Sequence, residues 1–460
     1  MKQSFPRGEH FFTRDRSFYG SWLRLFLVLA LQNIITYSVN VADNVMLGSY
    51  SQAALSGAAV INQIQYVLQS VTLSGIGEGL VTLGAQYWGR KDTAAIRRIT
   101  RTALIAGWAL GAALTLWAFA APETMVRLFT TDEEIVAEGV RYLSVMRYTY
   151  LIFITTSVLL CMLRSVQIAG IAFRLSVMTL LVNVSINYCL IFGHFGFPEL
   201  GIRGAAIGTL IARVLELAVL LAYLLLSRRD AVRALVRQAG SRAAGLARDY
   251  GRVTVPCVLS SLLFSLSVAM QTVIMGHLNG DAIAANSATS VLFQYAKMIP
   301  ISAAAATGVI IGKTVGSGDL SDLRARVRTL QVIFLGTGLM FSGGLLLISG
   351  PVLSLYRMTE QAMTYAGQMI AVMAVTSFFT GYQMPCLTGI IRGGGDARSV
   401  LRMDILLGWG LAMPLSLCAA FWWGWSVPAI TFCLNVDQIA KAAAVTWKIN
   451  RYTWVKKLTR

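Results

Sequence analysis

The sequence predicts an all-α membrane protein of twelve transmembrane helices in two six-helix lobes, related by a parallel pseudo-two-fold repeat. Three observations predict it. First, the 460 residues are 56% hydrophobic and only 13% charged, whereas soluble domains carry about 25% charge. A soluble chain of this length would lack the polar residues to cover its surface. Mean hydropathy is +0.64, which also excludes disorder, because disorder needs low hydrophobicity. Second, the apolar residues fall in runs long enough to cross a bilayer, which takes about 20 residues of helix. Third, the two halves of the chain align with one another.

In order, the runs lie near 17–47, 54–87, 98–119, 137–162, 171–193, 202–227, 252–276, 283–315, 327–350, 362–390, 399–421 and 425–447. Several exceed the minimum, which predicts tilt or extension into water. The first run is too long for a cleavable signal and lacks a small-residue cleavage site, so it reads as a span. Residues 1–226 then form one lobe, 227–251 a linker, and 252–460 the other lobe with its tail.

Net charge is +18. In a soluble protein that would suggest nucleic acid, but here the basic residues fall between the apolar runs and orient the chain in the membrane. With both termini inside, the internal segments hold 31 of the 39 Lys and Arg. Among them are Lys2, Arg7, Arg14, Arg16 and Arg24 in the N-terminal arm and Arg90, Lys91, Arg97, Arg98 and Arg101 after the second run. Arg228, Arg229, Arg233, Arg237, Arg242, Arg248 and Arg252 fill the linker, where they suit anionic headgroups or a solvated helix. Lys448, Arg451, Lys456, Lys457 and Arg460 lie in the tail. The external loops keep Arg127 and Arg357. This bias predicts a multi-pass cell-membrane protein, a bacterial inner membrane in first place, with cytoplasmic ends.

At a shift of 228 residues, "NVMLG" (Asn44–Gly48) lands on "TVIMG" (Thr272–Gly276), and Leu163-Arg164 lands on Ile391-Arg392. At a shift of 227, "GRKD" (Gly89–Asp92) lands on "GSGD" (Gly316–Asp319). The common spacing marks a duplicated six-helix unit. Six is even, so both copies enter from the same side and the repeat is parallel. Two such lobes leave a seam that can open to either face.

The first run ends "VADNVMLGSYSQAAL" (Val41–Leu55) and the second "GAQYWGRKD" (Gly84–Asp92). "NVSINYCLIFG" (Asn183–Gly193), "PELGIRGAAIGT" (Pro198–Thr209), "QTVIMGHLNGDAIAANS" (Gln271–Ser287) and "IIRGGGDARSV" (Ile390–Val400) follow. In this ordered series, from about residue 17 to the C-terminus, the chain resembles the multidrug and toxic compound extrusion (MATE) family. The resemblance implies a secondary-active exporter driven by a proton or sodium gradient, with bulky organic cations as the usual substrates.

Ionisable groups inside spans are costly, which makes each a candidate for function. Asp43 lies in the outer part of the first run, where the resemblance places a coupling carboxylate. Asn183 and Asn187 are four apart and share a helix face. Family members often carry an Asn and an Asp there, and Asn187 departs from that pattern. An amide can coordinate a cation but cannot release a proton. Another family branch carries acids in the seventh and tenth helices. This chain has none there, which favours protons over sodium as the coupling ion. No other cofactor is implied.

Glu78, between Gly77 and Gly79, and Lys297, near the middle of the eighth run, form a candidate gate pair across the seam, or each points into its own lobe. Asn62, Gln65 and Gln69 recur at helical spacing, and Asn286 and Gln294 lie on the eighth run. With Asn40 and Gln383 they read as a polar strip on a wet cavity or as polar contacts between helices. Tyr37, Tyr66 and Phe293 are pocket candidates. Asp437 and Lys441 can pair locally, and Glu216 and Asp404 read as paired or hydrated groups near inner helix ends. The six cysteines form no CxxC pair and read as structural thiols. No GxGxxG, GxxxxGK[ST] or HExxH occurs, and the three histidines do not cluster, so the chain is not read as an enzyme.

The expected function is proton-coupled export of organic, drug-like compounds by alternating access. The alternatives are a lipid-linked saccharide flippase of the same broad fold group, and a membrane receptor or channel without coupled transport. The expected partners are small-molecule substrates and membrane lipids, with neither nucleic acid nor an obligate protein partner, and the expected state is a monomer.

Overall fold

Polar caps, rather than the limits of the apolar runs, set where several of the helices begin. Asp92 Oδ1 accepts from the Ala95 N–H at 2.9 Å, Asp132 Oδ1 from the N–H groups of Glu134 and Ile135, and Thr359 Oγ1 from that of Ala362. Each satisfies a donor that has no partner within its helix. A computed structural model describes residues 11–228, 230–237, 245–278, 280–354 and 358–459. Lys2, Arg7, Arg229, Arg242, Arg357 and Arg460 lie outside the described residues.

The long helices are α1 (Arg16–Tyr50), α2 (52–89), α3 (Thr93–Ala120), α4 (Glu133–Met146 and Thr149–Ser165), α5 (Gly170–Phe192) and α6 (Ile202–Leu226). After them come α7 (Leu246–Gly276), α8 (Gly280–Ser317), α9 (Leu323–Leu353), α10 (Glu360–Ile391), α11 (Ala397–Phe421) and α12 (Val427–Asn450). Every run read from the sequence corresponds to one of them, with ends that differ by six residues at most. Among the described residues, nine are long and apolar enough to cross a membrane by themselves, and α4 makes a tenth if its halves, bent by 53°, form one span. α2 and α12 are less apolar because they carry Asn62, Gln65, Gln69 and Glu78, and Asn435, Asp437, Gln438 and Lys441. At the bend in α4 the Thr149 hydroxyl donates to the Met146 carbonyl at 2.6 Å.

Among the described residues, three helices widen to π geometry, at Ser70–Gly77, Pro385–Ile391 and Asp404–Ala412. Such bulges interrupt regular packing and often accompany functional sites. The first begins at Ser70, whose repeat equivalent at a shift of 228 is Met298. There α8 breaks at Lys297.

The chain divides into two compact units. The N-unit comprises Leu31–Gly84 and Asp92–Thr254, and the C-unit comprises Met1–Ala30, Ala85–Lys91 and Val255–Arg460. In the N-unit, the glycines of "GIGEG" allow close packing. A Cβ on Gly77 would meet Cys161 Sγ at 2.6 Å, and one on Gly79 would collide with Thr254. This stretch is a packing surface. The C-unit core includes Ile274, Leu292, Phe341, Leu345, Met369 and Ile430, all buried.

Both chain ends are anchored within the C-unit. Thr13 Oγ1 donates to Asp322 at 2.6 Å, Arg326 pairs with Asp15 at 3.0 Å, and Trp22 Nε1 donates to Thr307 at 2.9 Å. The C-terminal end of α2 crosses that of α8 backbone to backbone, because a Cβ on Gly89 would strike the Lys313 carbonyl and one on Gly316 the Gln86 carbonyl. These two glycines are the repeat-equivalent ones of "GRKD" and "GSGD". The tail closes over this crossing. Gln86 Oε1 accepts from the Leu458 N–H at 2.8 Å, and Trp454 is fully buried.

Asp396, just ahead of α11, pins the tail. Its carboxylate takes Lys456 at 2.7 Å, Lys448 at 3.0 Å and the Ser399 hydroxyl at 2.7 Å. Burial pushes this carboxyl up, but hydrogen bonds from Lys456, Ser399 and Lys448 outweigh it and hold it below the usual carboxylate range. A depressed folded value means the contribution is complete above the unfolded value, near 3.9, and is lost as pH falls through the folded one. Asp396→Asn should therefore cost about 2 kcal/mol at neutral pH, allowing for the half-exposed Lys456. Thermal melts in detergent should show this deficit unchanged from pH 8 to 5 and shrinking toward pH 3. A constant deficit at all pH values would contradict the ionic origin.

Candidate functional site

The N-unit holds a polar cluster where α1, α4, α5 and α6 meet. α5 places Asn183 and Asn187 one turn apart, 1% and 0% exposed. Buried amides of this kind need partners, and they find them in each other and across helices. Asn187 Nδ2 donates to Asp43 Oδ1 at 2.7 Å and to Asn183 Oδ1 at 3.3 Å. Asn183 Nδ2 donates to Thr209 Oγ1 on α6 at 3.3 Å. Tyr142, 3% exposed on α4, hydrogen-bonds Thr209 through its hydroxyl and lies in electrostatic reach of Asp43. The sequence-predicted trio Asp43, Asn183 and Asn187 is thus one hydrogen-bonded group.

Gly208 makes the cluster fit. A Cβ there would collide with Asn187 Oδ1, and that oxygen is buried with no donor among the described residues. Gly208→Ala should force Asn187 to move and cost about 1–3 kcal/mol, read as a lower melting midpoint. An unchanged midpoint would show that the site relaxes freely.

Sequence reasoning missed Tyr142, Thr209 and Arg213 here. Arg213 Nη1 pairs with Glu216 at 2.9 Å, lies over the Phe153 ring, and is in electrostatic reach of Asp43. Glu216 is 6% exposed and sits well inside α6, away from both of its ends. The signal was available, because Thr209, Arg213 and Glu216 follow the i, i+4, i+7 spacing of one helix face.

The other candidates fall as follows. Glu78 pairs with Arg164 at 2.6 Å within the N-unit. Lys297 lies in the C-unit, over Phe264 and Phe293. On α2, Gln65 is buried, Asn62 and Gln69 are half-buried, and Tyr66 is exposed and interacts with the half-buried Tyr37. Asn40 and Gln294 are exposed. In the C-unit, Gln271 approaches the buried Asn286 at 3.5 Å, and the buried Gln383 donates to Gln438 at 2.8 Å. Gln438 in turn donates to Asp437, and Lys441 joins Asp437 and Asp404 at 3.0 Å each. The local Asp437–Lys441 pair is therefore present. Among the described residues, no group of three His, Cys, Asp or Glu is placed to hold a metal ion.

Such a cluster can hold a small cation or a proton on its one carboxylate. The chain as a whole is similar to known proteins. The profile of the MatE family matches twice, at residues 29–189 and 256–418. The two matches start 227 residues apart and end 229 apart, bracketing the internal repeat of 228. A probable multidrug resistance protein NorM of Xylella fastidiosa is 27% identical over 434 residues, covering 94% of this chain and 92% of that protein. A NorM protein of Pseudomonas aeruginosa, also described as a probable multidrug resistance protein, is 25% identical, with 93% and 89% covered. Among solved structures, the bent form of the Vibrio cholerae MATE transporter VcmN superposes with a TM-score of 0.83 at 17% identity, covering 96% and 99%. The eukaryotic MATE transporter AtDTX14 gives 0.81 at 18% identity, covering 95% and 98%.

Proposed function

The chain belongs to the MatE family, and from that premise we propose that it is a multidrug efflux antiporter that exports organic, drug-like compounds in exchange for protons by alternating access. The observation that carries the reading is the 2.7 Å hydrogen bond between Asp43, an acid inside a span, and the buried Asn187. An acid there is costly unless it does something.

As a carboxylate, Asp43 accepts from Asn187 Nδ2. A proton turns the carboxyl into a donor. Asn187 can then rotate its amide and offer Oδ1, which Gly208 leaves uncovered. Proton uptake thus changes the hydrogen bonds joining α1 to α5 and α6, and a ligand or proton shifts access through its different affinity for the two states. The absence of acids on α7 and α10 at the places where another family branch carries them supports protons rather than sodium. Relatives described as multidrug resistance proteins support drug-like cargo, organic cations first. The basic internal segments support cytoplasmic termini, and the 228-residue repeat supports lobes bounded near residues 226 and 252.

The test uses acidified inside-out vesicles carrying a pH-sensitive dye. Addition of ethidium should release protons and sodium alone should not. Release driven by sodium alone would move the coupling to that ion. No response to any organic compound, with the protein present in the membrane, would favour a lipid-linked substrate.

A further inference from the structure

At a shift of 228 residues, "HFGF" (His194–Phe197), between α5 and α6, lands on "WWGW" (Trp422–Trp425), between α11 and α12. The backbone repeats as well, since Gly196 and Gly424 both take the left-handed conformation, at φ +81° and +59°. One loop belongs to the N-unit and the other to the C-unit. Six crossings separate them, so both lie at the same membrane surface. Phe195, Phe197, Trp422, Trp423 and Trp425 are all exposed, Phe195 at 82% and Trp422 at 79%.

Water is a poor surrounding for these rings. No Asp, Glu, Lys or Arg occurs between Arg174 and Glu199 or between Asp404 and Asp437, so each loop continues two apolar runs without a charge. The loop after α3, by contrast, carries Glu123, Arg127 and Asp132, the residues of a water-facing connection. Phe195 also holds a left-handed backbone at φ 59°, which is costly for a bulky residue. A layer that takes up its ring offsets both the strain and the exposure. The backbone is prepared for such a layer. The N–H groups of Trp422 and Trp423 donate to the Cys418 carbonyl at 3.0 and 2.9 Å, that of Trp425 to the Ala419 carbonyl at 3.0 Å, and that of Phe197 to the His194 carbonyl at 3.3 Å. These donors need no water. The rings support one another, with the centres of Trp423 and Trp425 5.0 Å apart and those of Tyr188 and His194 4.5 Å apart.

We infer that these two repeat-equivalent loops are interfacial anchors, one for each unit, seated in one leaflet at the boundary between lipid headgroups and acyl chains. The rings lie among the upper chain segments, and the indole N–H groups of the three tryptophans reach lipid ester carbonyls. Each anchor sits at the end of a long helix and fixes how deeply that helix lies in the bilayer. In the N-unit that helix is α5, which carries Asn183 and Asn187. The inference is independent of the export reading.

The test follows tryptophan emission from the full chain in phosphatidylcholine vesicles. The lipid carries bromines either near the headgroup end of its chains or near their methyl ends, and iodide is the aqueous quencher. A variant combining Trp422→Phe, Trp423→Phe and Trp425→Phe keeps a ring at each place, and its difference from the wild type reports the three indoles. Phe195→Trp, added to that variant, reports the other loop. Both signals should be lost most strongly to the shallow bromines, less to the deep ones and least to iodide. An unchanged melting midpoint in detergent shows that each variant is folded. If the combined variant does not fold, Trp422→Phe alone gives the same difference for the most exposed indole. Quenching by iodide without quenching by brominated lipid would put the loops in water and overturn the inference. Protection from both quenchers would mean that protein covers them, which overturns it as well. Lipid quenching at one loop alone would overturn the pairing.

Discussion

Asp43→Asn should reduce substrate-driven proton release to the level of empty vesicles while leaving the protein folded. The replacement is nearly isosteric, and its carbonyl oxygen can still accept from Asn187 Nδ2, the contact made at 2.7 Å in the wild type. What it cannot do is take up or release a proton. Geometry and coupling are thereby separated, and ethidium binding should stay within a few-fold of wild type. Asn187→Ala should act differently. It keeps the acid and removes one hydrogen bond to a charged group, a loss of about 1.5–3 kcal/mol. Exchange should fall by about ten- to a hundredfold rather than vanish. If Asp43→Asn vesicles exchange at the wild-type rate, Asp43 is not the coupling group.

Glu78→Gln should be among the most destabilising conservative changes in the N-unit. Glu78 accepts from Arg164 at 2.6 Å, with side-chain exposures of 15% and 19%. Removing one partner of a largely buried pair leaves the other charge uncompensated, at a cost of about 3–5 kcal/mol. Arg164→Met should cost a similar amount. The double variant should recover a large part of either loss, because with Gln at 78 and Met at 164 no charge is left stranded. Thermal melts of the four proteins close the cycle. Strictly additive losses would mean that the pair does not interact as drawn. High salt should change little, because partly buried pairs are poorly screened.

The fold was legible because the bilayer constrains it so strongly. Apolar runs, the basic segments between them and the 228-residue shift each follow from transfer energetics or gene-level duplication. Asp43, Asn183 and Asn187 were legible for a related reason, as polar groups that a span tolerates only with a purpose. The partners were not. The sequence offered Lys297 or the home lobe for Glu78, and the fold pairs Glu78 with Arg164, 86 positions away. Tyr142 was passed over because a tyrosine in a span is ordinary, and only its approach to Thr209 and Asp43 distinguishes it.

By itself, then, the sequence determined the membrane setting, the twelve helices, their duplication and the acid in the first helix. The tertiary structure decided which helix faces meet. It brought Asn187 to Asp43, left room for that amide at Gly208, and drew residues 11–30 and 85–91 into the C-unit. The physical reason lies in the solvent. In a soluble helix, an apolar stripe shows which face is buried. In a bilayer both the lipid-facing and the protein-facing sides are apolar, so periodicity says little about rotation. Rotation is set instead by close packing at small residues and by a few long-range hydrogen bonds, which exist only once the helices have come together.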